Sequence, residues 1–150
     1  MFETFLDLPV HILVIHAVVV GVPAAALATV AVALIPSLRV RLAWPVVLLN
    51  ALLLGVTYVA RQSGLWFYGT FDQLPPAAAE HRALGLTLIW FVLGLLGASV
   101  LLALVSRGPG LVIGLVAVVV LAAAGAATVQ TIRTGHAGSK AVWKGVVQNK

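Results

Sequence analysis

The chain has 150 residues, 62% of them hydrophobic and only 9% charged, and its mean hydropathy is +1.14. That much apolar surface excludes a soluble core as its destination. The net charge of +5 comes from basic residues that flank apolar runs, an arrangement suited to head groups rather than to the basic stripe of a nucleic-acid binder.

Four stretches lack Asp, Glu, Lys and Arg altogether: 8–38, 42–60, 83–106 and 108–132. A helix needs about 20 apolar residues to cross the hydrocarbon core. The pattern therefore predicts an all-α fold, an integral membrane four-helix up-down bundle. It forms one transmembrane domain over 1–150, with spans near 9–35, 43–62, 80–106 and 109–134.

The first helix is predicted to begin at Asp7 and Pro9, an acidic cap followed by an early proline, to kink at Pro23 and to end by Pro36. The residues before it are acidic where an export signal is basic, and the run is too long for one, so it reads as a retained span. A tight turn, Pro36 to Arg41, leads to a second helix opening at Trp44 and Pro45. That helix is marked by Asn50, Thr57 and Arg61, with Asn50 read as an interhelical hydrogen-bonding group.

Residues 61–82 form the one long connection. They carry Trp66, Phe67, Tyr68, Phe71, Asp72 and Glu80, which predicts an interfacial loop between helices 2 and 3. The third helix is predicted from Pro76, with His81 in its second turn and Gly85 one turn further on the same face, leaving room for a flat ring. The fourth opens at Pro109-Gly110, carries a polar stripe of Gln130, Arg133 and Thr134, and is predicted to stop at Gly135, with Trp143 anchoring a short interfacial tail. Pairs of small residues four apart, Ala24/Ala28, Gly94/Ala98, Gly110/Gly114 and Ala123/Ala127, suit close packing within the bundle. No internal repeat stands out.

The topology places His11, His16, His81 and His136 at one side of the bilayer. Ionisable side chains near a span are costly, so these four are the candidate site. His16 lies about 10 Å along the helix, and five residues of rotation set it about 140° from His11. With cysteine absent, disulfides, Cys-ligated iron–sulfur clusters and covalent haem attachment within the chain are excluded. Any metal is left to His, carboxylate or a bound ligand.

His16 and His81 are the expected axial ligands of a b-type haem, with His136 the alternative to either and His11 left to a hydrogen bond or a second ligand contact. Arg61, Arg82 and Arg133 gather in the same leaflet, available to porphyrin propionates or to quinone-like or lipid head groups. Two other readings are a structural or accessory membrane subunit without cofactor, and a small transporter or proton relay. No nucleophilic triad, phosphate loop or paired-carboxylate site is present, so at most a redox subunit is expected rather than a hydrolase or transferase. The first hairpin has no Lys or Arg before it and Arg39 and Arg41 after it, which favours both termini outside. The total count, with Arg61, Arg82, Arg133, Lys140, Lys144 and Lys150 on the N-terminal side, argues the other way and leaves the orientation open.

Leu-Pro-Val-His-Ile-Leu-Val-Ile-His in the first span, Glu-His-Arg-Ala-Leu-Gly before the third and Gly-His-Ala-Gly-Ser-Lys-Ala-Val-Trp after the fourth resemble the DUF2231 family of bacterial membrane proteins, across nearly the whole chain. The resemblance implies a four-helix unit in the bacterial inner membrane with histidines near one face. It also implies a respiratory or iron–sulfur redox partner. The positions that match are His11, His16, Glu80, His81, Gly85, His136 and Trp143, while Ile12 stands where the pattern has Pro.

Overall fold

The computed structural model describes residues 4–5, 8–70 and 76–147, with no side-chain detail for Phe5 or for 144–147. The predicted Asp7 cap and the loop residues Phe71 and Asp72 lie outside the described residues. Two short strands, β1 (Thr4–Phe5) and β2 (Leu8–Pro9), pair antiparallel ahead of four helices: α1 (Val10–Leu34), α2 (Pro36–Tyr68), α3 (Pro76–Leu104) and α4 (Gly110–Val147).

All four helices are long and apolar enough to cross a membrane. Their outer faces are the apolar ones: Leu27 is 71% exposed, Trp90 69% and Leu111 78%, while the interior holds Thr29, Asn50, Ser63 and Ser99 at 0%. Large apolar side chains facing outward around a core that also holds polar groups are what a lipid solvent requires. The chain is a small all-α four-helix bundle of the multi-pass membrane kind.

The helix bounds correct the sequence reading in two places. Between α1 and α2 only Ile35 intervenes, held extended (φ −103°, ψ 108°) because the ring of Pro36 disfavours helical backbone in the residue before it. Pro36 then serves as the first helical residue, so α2 begins there and passes through Pro45, and Trp66 to Tyr68 form its last turn rather than a surface loop. At the other end α4 does not stop at Gly135. That glycine faces α1, where a Cβ on it would come 3.7 Å from a Val19 methyl, and the helix continues through His136 and Trp143. At 1.5 Å per residue, α2 and α4 are about 50 and 57 Å long, well beyond the roughly 30 Å hydrocarbon core.

Neighbours in sequence pack as antiparallel pairs, α4 closes the ring onto α1, and the diagonal α1 and α3 meet only sparsely. Burial is set by small side chains. Ala25, Ala26, Ala33, Ala43, Ala98, Ala103, Ala117, Ala124 and Ala127 are buried, which lets backbones approach closely where lipid offers no hydrophobic drive. Of the predicted small pairs, Ala98 and Ala127 are buried, whereas Gly110 and Gly114 face open space. Asn50 Nδ2 donates to Thr29 Oγ1 at 3.0 Å, the expected interhelical bond.

A repeat does exist, in burial rather than in residue identity. The buried α1 positions Val18, Val22, Ala25, Thr29, Val32 and Ala33 recur 70 residues later as Leu88, Val92, Leu95, Ser99, Leu102 and Ala103. In α2, Ala43, Val46, Asn50, Thr57, Ala60 and Ser63 recur 74 residues later as Ala117, Val120, Ala124, Thr131, Thr134 and Ala137. Hairpin α1–α2 is thus equivalent to hairpin α3–α4 with helix directions preserved. That relates the halves by a pseudo-two-fold axis along the bundle.

Candidate functional site

The pseudo-two-fold axis emerges at one end of the bundle between two imidazoles. His11, in the first turn of α1, and its equivalent His81 in α3 meet edge to face, ring centroids 6.1 Å apart and planes at 65°. Each ring is tied to the helix beside its own. His11 Nδ1 donates to the Ala60 carbonyl of α2 at 3.0 Å, and His81 Nδ1 donates to the Thr134 carbonyl of α4 at 2.9 Å. Ala60 and Thr134 are themselves equivalent positions, so the repeat extends to the site.

These bonds fix the chemistry of the rings. A carbonyl oxygen can only accept, so Nδ1 carries a proton in both rings, and in the neutral imidazole this leaves the lone pair on Nε2. This is the tautomer of a metal ligand whose other nitrogen is oriented by a backbone carbonyl.

One helical turn past each anchoring carbonyl stands a glycine. A Cβ on Gly64 would come 2.9 Å from His11 Cε1, and one on Gly138 would come 3.1 Å from His81 Cε1 and Nδ1. At Gly64 a Cβ would force the ring to shift, and at Gly138 the ring would have to give by a few tenths of an ångström. The two glycines are therefore the seats on which the imidazoles lie, and they were not singled out from the sequence. The signal that finds them is the shared spacing Thr57, Ala60, Gly64 and Thr131, Thr134, Gly138.

Phe67, at the end of α2, stacks on His11 with centroids 6.2 Å apart and planes at 23°. On the α4 side, Gln130 Nε2 donates to the Leu84 carbonyl at 3.1 Å and to Thr87 Oγ1 at 2.9 Å, clamping α3 to α4 one turn below His81. Further along the axis the core is apolar, filled by Val18, Val22, Leu88, Val92 and Leu95. The site belongs to one membrane face.

His11, rather than the expected His16, is the α1 histidine that meets His81. His16 is exposed on the outer side of α1, and its Nδ1 donates to the Ile12 carbonyl of its own helix at 3.0 Å. The rotation of about 140° allowed one of the two α1 histidines to face inward, and the packing of α1 on α2 turns His11 in. His136, Arg133, Glu80 and Trp143 are also exposed. Gly85 does not open onto the rings; the nearest atom to a Cβ there is the Thr134 methyl at 3.9 Å, an ordinary helix contact. Arg61 is partly buried with Nε unbonded, and Arg82 is exposed with Cζ 5.7 Å from the centre of the Tyr68 ring. Among the described residues no three His or carboxylate side chains gather closely enough to hold a metal by themselves.

Comparison with family models, with curated proteins and with solved structures returned no match to this chain.

Proposed function

We propose that this membrane protein is a redox subunit in which His11 and His81 are the axial ligands of one b-type haem at one membrane face. The observation that carries the reading is the pair itself. Two imidazoles from diagonal helices lie with centroids 6.1 Å apart, each with Nδ1 donating to a backbone carbonyl and Nε2 left for a ligand. Metal–nitrogen bonds are about 2 Å long, so the separation is of the size two imidazoles adopt on one ion. The donor set therefore fits haem iron, and the chain's part is to hold both rings at a fixed tautomer and orientation. When bound, the haem supplies one-electron transfer at a potential set by burial and by the carbonyl bonds to the ligands.

The resemblance to DUF2231 at His11, His81 and His136 supports a place in the bacterial inner membrane and an iron–sulfur or respiratory partner. The apolar filling of the axis below the pair favours this one-face reading over a proton path through the bundle. A second reading, a structural subunit without cofactor, is favoured by one specific feature: Phe67 and the facing imidazole already pack against His11. Absorption spectra of the purified protein supplied with haem, before and after dithionite, separate the two. Low-spin bis-imidazole bands support the redox subunit, and a colourless folded protein supports the structural one.

A further inference from the structure

We infer that the cleft between α2 and α3 at the histidine face binds the phosphate group of an anionic bilayer lipid. Arg61 and Tyr68 stand seven residues apart on α2, two turns along one face, and Arg82 of α3 lies across the cleft with its guanidinium carbon 5.7 Å from the Tyr68 ring centre. The Arg61 Nε is buried and unbonded, and the buried Tyr68 hydroxyl lies beside the Arg82 backbone. Buried polar groups in folded proteins are almost always paired, and an unpaired one in the low-dielectric edge of a membrane is costly. An unpaired guanidinium N–H with a phenolic hydroxyl and a second guanidinium on the same side of the bundle describes a place for an oxyanion.

The chain does not supply that oxyanion among its described residues. Glu80 is the one carboxylate among them, and it is exposed. A phosphodiester suits the donors in charge and geometry, since guanidinium groups bind phosphate through paired N–H groups. The location selects the source. Arg61 directly follows Ala60, whose carbonyl anchors His11, so the cleft sits at the end of the bundle where lipid head groups lie.

The test uses the full chain in mild detergent, without added haem, so that its outcome is separate from that of the haem reading. Native mass spectrometry measures retention of phosphatidylglycerol against phosphatidylcholine. Retention of the anionic lipid is expected to exceed that of the zwitterionic one by about thirtyfold, the scale of two guanidinium contacts at a membrane surface. Arg61→Gln and Arg82→Gln should each bring it close to the phosphatidylcholine level, and Arg61→Lys, which keeps the charge but lacks Nε, should give an intermediate loss. Arg107→Gln, at the opposite face, should change nothing. Arg82 is exposed, so its variant keeps the test decisive if Arg61→Gln fails to fold. Equal retention of the two lipids, or selectivity undiminished in both glutamine variants, overturns the proposal. Displacement by millimolar inorganic phosphate identifies a free anion as the occupant and overturns the lipid assignment. A gain of selectivity in Asp72→Asn shows that the chain's own carboxylate competes for the cleft, and overturns it likewise.

Discussion

His11 and Gly64 are locked together: the imidazole of α1 occupies the space where a side chain on α2 would begin, 2.9 Å from the ideal Cβ position. His81 and Gly138 repeat the arrangement in the second hairpin at 3.1 Å. Because Nδ1 of each ring is held by the carbonyl one turn earlier, the ring has no free rotation by which to retreat.

Gly64→Ala should therefore destabilise the bundle by about 1–3 kcal/mol, the usual cost of overpacking, even though Ala favours a helix by about 1 kcal/mol over Gly. Gly125, with nothing within 4 Å of its Cβ position, provides the control. Gly125→Ala should be neutral or stabilising. Unfolding in mixed micelles measures both, and equal behaviour of the two alanine variants would contradict the seat role of Gly64.

The Gln130 clamp gives a smaller effect. Gln130→Leu removes bonds to the Leu84 carbonyl and Thr87 Oγ1, and interhelical hydrogen bonds in membranes are worth about 0.6 kcal/mol on average with a maximum of about 1.7. A loss in that range is expected in the same unfolding measurement. A loss several times larger would show that Gln130 bears on more than α3 and α4.

Topology is checked by chemical labelling. Ser37 lies at the turn between α1 and α2 and Ser139 near the end of α4, both exposed, so cysteines placed there should be accessible from opposite sides of the membrane. Labelling from the same side would break the up-down arrangement and separate the histidines.

How much of this was legible in the sequence follows from what each feature depends on. The spans depend on runs without charge, which are visible directly. The start of α2 was misplaced because Trp44 and Pro45 look like a helix opening. The real opening, Pro36, follows a single extended Ile35, too brief an interruption to show in a composition profile. The choice between His11 and His16 depends on which face of α1 meets α2. Depth along the helix favoured His16, while packing turns it outward. The anchoring groups at Ala60 and Thr134 are backbone carbonyls and leave no mark on residue identity. The repeat is hidden for a related reason: Asn50 and Ala124, or Thr29 and Ser99, share a place in the core without sharing a side chain.

The central claim is that one group is held between His11 and His81 and that His16 has no part in holding it. The most direct measurement is a haem titration of the wild type and of His11→Ala, His81→Ala and His16→Ala, followed by dithionite-reduced spectra, with folding of each variant checked by its melting profile. The account predicts one low-spin haem in the wild type and in His16→Ala, and loss of the reduced bands in both His11→Ala and His81→Ala. Haem retained in both of those variants, or no haem taken up by a folded wild type, would contradict it.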